Sequence, residues 1–131
     1  MKEILALLLW LLLSGCTNTR VNYGSFISQN LPPKGNNAEI ILITKDSDKP
    51  YREIGIISIV GANKNTTYDE LNEKMKEKAR KVGADAVINI EYGTEAKNVM
   101  VPSASGYGSI GTTIHKPSCK GIAVVFVKQR N

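Results

Sequence analysis

Two cysteines and one histidine are all that this 131-residue chain offers of the two residue types most used for cross-links and metal sites. Cys16 stands near the start, in a context that commits it to another role, which leaves Cys119 alone. An intrachain disulfide is therefore excluded, and the fold must rest on its core. His115 is the sole imidazole and the carboxylates are scattered, whereas a hydrolase or oxidoreductase usually shows convergent titratable groups. We expect no enzyme and no cofactor. The longest apolar run, Ile4 to Leu13, falls well short of the roughly 20 residues a spanning helix requires. The glycine- and serine-rich stretch Pro102 to Thr113 follows no phosphate-loop pattern, because no strand enters it with a helix following.

The short apolar run is itself informative. Lys2, the run Ile4 to Leu13 and the small Ser14 and Gly15 have the three-part layout of a secretory signal peptide. Leu13-Ser14-Gly15-Cys16 resembles the lipobox of bacterial lipoproteins. That resemblance implies cleavage between Gly15 and Cys16, a diacylglycerol on the Cys16 thiol and acylation of the new amino terminus. Each buried CH₂ contributes about 0.8 kcal/mol, so one acyl chain holds marginally and two or three hold firmly. Thr17, where the sorting pattern would need Asp for retention, implies the outer membrane facing the periplasm in a host with two membranes.

The net charge of +5 survives removal of residues 1–15, because Lys2 and Glu3 cancel. Outside the membrane the available acidic surfaces are lipid headgroups and cell-wall polymers, so nucleic acid is not an expected partner. The remaining length suits one small domain and a tether. Residues 16–37 read as the lipidated cysteine and a polar spacer rich in Asn, Pro and Gly. As a flexible chain it would reach roughly 25 Å. Val21, Tyr23, Phe26 and Ile27 are the positions at which it could dock on the domain.

Residues 38–129 form the domain. Glu39 to Thr44 and Tyr51 to Gly61 read as strands, most simply an antiparallel pair across the turn cluster Lys45 to Pro50. Thr67 to Val82 reads as a helix: Thr67 and Glu70 fit a capping box, Leu71, Met75, Ala79 and Val82 share a face, and Gly83 stops it. Its acidic residues lie early and its basic residues late, so its charge reads as a solvated face. Asp85 to Tyr92 and Gly121 to Lys128 complete the strands, with a long hairpin between them whose arms are Lys97 to Val101 and Ser109 to His115. The expected class is α+β: a small mixed sheet of about four to six strands, a βαβ unit plus hairpins, and one amphipathic helix on one face. One helix covers only one side. Ile57, Ile59, Val125 and Val127, or their neighbours, must face the other side, which calls for the tether, the 94–119 loop, a second copy or a partner as cover.

Three further residues are candidates for chemistry or contact. His115 and Cys119, four apart, supply half of a metal site, and Cys119 could alternatively join two copies through an intermolecular disulfide. Tyr107 is the single aromatic of the glycine-serine stretch and a candidate contact residue at a loop tip. Lys49-Pro50-Tyr51-Arg52-Glu53-Ile54-Gly55, the capped helix, Gly83-Ala84-Asp85-Ala86-Val87-Ile88-Asn89-Ile90 and Gly121-Ile122-Ala123-Val124 together resemble the YbjQ-like domains and the lipoprotein sensor of the Rcs envelope-stress pathway. The resemblance implies oligomerisation on the YbjQ side. It departs from the Rcs sensor, which is held by paired disulfides. The combined expectation is a membrane-anchored, non-catalytic envelope lipoprotein that binds an envelope protein, senses, or self-associates; the alternative is a metal-binding module using His115 and Cys119.

Overall fold

The computed structural model describes residues 19–128; the expected signal segment, Gly15 and Cys16 lie outside the described residues. Five strands and one helix follow in the order β1 (Arg20–Ser25), β2 (Ile41–Leu42), β3 (Tyr51–Val60), α1 (Tyr68–Val82), β4 (Ala86–Pro102) and β5 (Ser109–Phe126). The strands form one mixed sheet in the spatial order β1-β3-β5-β4-β2. The molecule is an α+β domain, as the patterning implies. β3 and β4 are each antiparallel to β5, so they run parallel to one another with β5 between them. The β3-α1-β4 crossover therefore straddles a strand.

α1 forms because its ends and its face agree. Thr67 Oγ1 accepts from the Glu70 N–H, and Glu70 Oε2 accepts from the Thr67 N–H, both at 3.2 Å. Gly83 closes the helix at φ +82°, and the Ala84 N–H donates to the Ala79 carbonyl at 2.9 Å, which satisfies end carbonyls that would otherwise be orphaned. Leu71, Met75 and Ala79 are fully buried against Ile54, Ile57, Ile59, Val87, Ile90 and Ala123. Just beyond the helix, Asp85 joins three segments: Oδ1 meets Lys34 Nζ at 2.8 Å and Oδ2 accepts from the Phe126 N–H at 2.9 Å. Partial burial pushes this carboxyl up, but the Lys34 and Phe126 hydrogen bonds outweigh it and hold its pKa below the usual range.

Two expectations need correction. The spacer docks at Val21, Tyr23 and Ile27, three of the four expected positions, but the domain begins earlier than residue 38, because Arg20–Ser25 pairs with β3 as an edge strand, from Arg20↔Val60 to Ser25↔Gly55. Val21 and Tyr23 pack on the core, and Tyr23 Oη donates to the Ile54 carbonyl at 3.1 Å. Only two apolar positions alternate with polar ones in this strand, too few to stand out among Asn, Ser and Gly. Nor do the segments at 39–44 and 51–61 pair with each other. β2 lies at the far edge, parallel to β4, with Ile41↔Ala86 and Leu42↔Val87. The supposed tight turn after it continues along β4 instead, with Ile43 N–H to Val87 O at 2.9 Å and Asn89 N–H to Lys45 O at 3.1 Å. A β-bulge between Ile88 and Glu91 makes this possible, with Asn89 in the left-handed region at φ +52°.

That crossing segment also supplies the missing cover. Ile57 and Ile59 lie beneath α1, while Ala86, Ile88 and Val124 face the other side of the sheet and are fully buried there. Ile43 and Tyr51, at the two ends of the crossing, pack against them with Ile122 and Phe126. Lys49 Nζ caps the cluster 5.3 Å from the Phe126 ring centroid. The second face is thus covered from within the chain, by Ile43 and Tyr51 at either end of the expected turn and by Lys49 within it. Ile41 and Ile56 remain partly open.

Candidate functional site

The hairpin expected between residues 94 and 118 is the outer half of two unbroken strands. The last row in which four strands run side by side is Arg20↔Val60↔Ser118↔Gly93. Beyond it β4 and β5 continue alone, from Thr94↔Pro117 to Pro102↔Ser109. At about 3.3 Å per residue this two-stranded arm is roughly 25 Å long. Pro117 fits the point of departure: its carbonyl accepts the Gly61 N–H at 2.8 Å, and its own missing N–H is no loss on a strand that has just become an edge.

The root of the arm is tied to the body. Arg20 Nη2 lies 2.9 and 3.0 Å from the two Glu95 carboxylate oxygens, and Lys120 Nζ lies 3.2 Å from Glu91. The Tyr68 and Tyr92 rings pack at 5.1 Å, and Tyr92 Oη donates to Asn72 Oδ1 on α1. The tip is a six-residue loop held by its own backbone. Gly106 and Gly108 adopt φ of +76° and +74°, and Ser103 Oγ donates to the Tyr107 carbonyl at 2.6 Å.

Composition changes along the arm. Glu95, Lys97, His115 and Lys116 lie near the root, with Ala96↔His115 and Glu95↔Lys116 as facing pairs. From Asn98 through the tip to Ile114 there is no charged residue. On one face Val99, Val101, Ile110 and Ile114 lie together, through Lys97↔Ile114, Val99↔Thr112 and Val101↔Ile110. Met100 is 68% exposed, Ile110 56% and Tyr107 89%. Tyr107 therefore stands at the tip, as the sequence suggests, but within a larger apolar surface. Both long edges of the ribbon are unpaired, and a two-stranded ribbon is marginal on its own in water.

The structure separates the two residues of the metal alternative. His115 and Cys119 point to the same side of β5 but sit two pleats apart, about 13 Å between Cα atoms. His115 is exposed on the arm; Cys119 is buried in the core beneath α1. One ion cannot be held by both. Among the described residues no three of His, Cys, Asp or Glu converge on a common point. Burial pushes the Cys119 thiol up to about 11, which keeps it protonated, and its position withholds it from a second copy.

The remaining features are ordinary surface. A concavity of about 510 Å³ runs along α1, lined by Pro33, Lys34, Glu73, Lys74, Glu77 and Lys81 among others. Glu77 there pairs with Lys74 at 3.6 Å and Lys81 at 3.3 Å, and the Lys81 hydrogen bond leads in lowering its pKa. This is the solvated helix face that the charge order implies. Among the described residues no polar or charged side chain is buried. Sequence reasoning missed the continuity of the arm. Its signal was present in the charge-free run from Asn98 to Ile114. No protein-family model matches the chain, and neither a curated protein nor a solved structure matches it.

Proposed function

We propose that the protein is a lipid-anchored, non-catalytic lipoprotein of the bacterial envelope, with the arm at residues 94–117 as its contact element. The anchor is Cys16, acylated after cleavage behind Gly15, and the location is the outer membrane facing the periplasm in a host with two membranes. The observation that carries the contact role is the arm itself: a projecting ribbon, free of charge from Asn98 to Ile114, with Met100, Tyr107 and Ile110 open to solvent. Soluble surfaces are normally interspersed with charge, and an exposed apolar patch on a projecting element marks a place of contact. The non-catalytic reading is supported by the distribution of titratable groups among the described residues, which sit singly, in exposed ion pairs, or in the half-buried Lys34–Asp85 pair that ties segments together. Among the described residues no two of them share a secluded cavity where a pKa could be tuned for proton transfer.

The anchor is tested by metabolic labelling with palmitate. Wild type should carry label and sediment with membranes; Cys16→Ser should carry none and fractionate as soluble. An unlabelled wild type, or an unchanged fractionation of Cys16→Ser, overturns the assignment.

A further inference from the structure

We propose that the arm tip is a lipid-contacting wedge that enters the headgroup region of the same membrane that holds the Cys16 anchor. This rests on the lipoprotein reading and adds a second, non-covalent point of attachment. The first argument is placement. Arg20 stands in the row from which the arm departs, and its guanidinium is bonded to Glu95 at the arm root. The chain leading back to Cys16 therefore leaves the sheet at the arm's own end.

The second argument is reach. Four Cα steps separate Cys16 from Arg20, so a taut linker spans at most about 14 Å. The arm beyond the root is roughly 25 Å long. A projection longer than the tether beside which it is rooted meets the anchoring surface before the body does.

The third argument is chemistry. Met100, Val101, Tyr107 and Ile110 are exposed on a segment without charge, while the ammonium groups of Lys97 and Lys116 stand nearer the body, where Arg20 takes up the Glu95 carboxylate. That order matches an interface: apolar and aromatic groups at the acyl boundary, lysine ammonium groups at the phosphates. The ribbon's outer N–H and C=O groups have no partner strand, and hydrocarbon tolerates no such edge. The backbone therefore stays at headgroup level and only the side chains sink, as in other interfacial elements. Edge pairing with a protein strand would satisfy the backbone equally well, but it neither explains the flanking Lys97 and Lys116 nor needs an uncharged tip.

The test uses the full, lipidated chain with an environment-sensitive fluorophore on Tyr107→Cys, and separately on Lys128→Cys at the opposite end of β5. Cys16 is blocked by its thioether and Cys119 by burial. Vesicles of phosphatidylethanolamine and phosphatidylglycerol carry nitroxide-labelled lipids. The probe at 107 should be blue-shifted and quenched several-fold more strongly by nitroxides near the headgroup than the probe at 128. Met100→Asp/Ile110→Asp, at exposed positions that leave the core intact, should bring quenching at 107 down to the level at 128. Equal, water-like emission from both probes on a palmitate-labelled, vesicle-bound chain overturns the wedge while leaving the anchor in place. A buried probe at 107 that is insensitive to lipid nitroxides, with the chain crosslinking to a protein, also overturns it. Failure of palmitate labelling marks instead a failure of the anchor itself.

Discussion

Gly55→Ala separates two pictures of the amino-terminal segment by the sign of its effect. If residues 20–25 were a free spacer, the added methyl would restrict the unfolded chain and stabilise the domain by about 0.4–1 kcal/mol. In the structure the position is closed. A Cβ at Gly55 would overlap the Tyr23 ring, lying 2.6 Å from Cζ, and would lie 2.6 Å from the Gly24 carbonyl oxygen. Ordinary contacts between carbon atoms begin near about 3.5 Å, so each overlap is on the order of 1 Å. The ring can swing away, but then Tyr23 Oη loses the Ile54 carbonyl and the Lys78 ammonium loses the ring it faces at 5.8 Å. The Gly24 carbonyl belongs to β1, paired along β3, and moves only if that edge peels.

Overpacking costs about 1–3 kcal/mol, and one lost hydrogen bond adds about 0.5–1.5 kcal/mol. The substitution should therefore destabilise by about 2–4 kcal/mol, a large part of the roughly 5–15 kcal/mol that holds a domain together. Urea unfolding of the non-lipidated Cys16→Ser chain is the assay. With an m-value of about 1.5 kcal/mol/M, the midpoint should fall by upward of ~1 M. Tyr23→Ala removes the ring overlap but not the carbonyl one. The double variant should accordingly lose less than the sum of the singles, by about 1 kcal/mol. A Gly55→Ala midpoint at or above that of the parent refutes the docking of β1, and strict additivity refutes the role assigned to the Tyr23 ring.

Asp85→Asn keeps an acceptor for the Phe126 N–H but abolishes the ion pair with Lys34, and should cost about 1 kcal/mol at neutral pH. Because the folded-state pKa of Asp85 lies below its ordinary 3.8, its contribution is present above that value and is lost as pH falls through the depressed one. Urea midpoints of parent and variant should differ at pH 7 and converge in strong acid; a constant gap contradicts the assignment. Cys119, with its thiol pushed up to about 11 beneath α1, should resist an aromatic disulfide reagent at pH 8 until the chain is unfolded. Rapid modification of the folded protein, or a Cys119-linked dimer on a non-reducing gel, contradicts its burial. Zinc titration should give the same affinity for the parent and for His115→Ala/Cys119→Ser, since the two groups are too far apart to share an ion; a large loss in the variant contradicts the strand geometry.

Where local chemistry decides the structure, the sequence is readable. Thr67 and Glu70 announce the helix and Gly83 its end, because the capping contacts lie within a few residues of one another, and the spacing of Leu71, Met75 and Ala79 announces its buried face. The β-branched runs at 54–60, 86–90 and 122–127 likewise announce core strands. What stays hidden depends on partners far along the chain. β2 pairs with a strand more than forty residues later, and no local pattern distinguishes that from a hairpin with β3. Ile43 and Tyr51 look like strand residues on either side of a turn, and only the closed sheet shows that they cover Ala86, Ile88 and Val124. β1 is hidden for a different reason: its affinity for the domain lies partly in Gly55, a residue with nothing to show in a hydropathy pattern.

The arm fails to be legible for a reason that bears on what it is for. Its strands alternate weakly because neither face is buried in the domain, so the period that normally reports a core is absent. Ordering each backbone residue costs about 1–2 kcal/mol, and residues 94–117 return little of that through burial, since nearly all are exposed or only half-buried. The arm cannot be accounted for as a source of stability. Nor is it accounted for as a solvated appendage: at the chain's 22% charged content, the run from Asn98 to Ile114 would carry roughly four charges, and it carries none. A segment that adds no stability, lacks the charges that keep a surface soluble, and projects valine, methionine, tyrosine and isoleucine away from the body is matched to a surface other than water. If Cys16 carries the proposed lipid anchor, four Cα steps before Arg20 at the arm root, the nearest such surface is the bilayer.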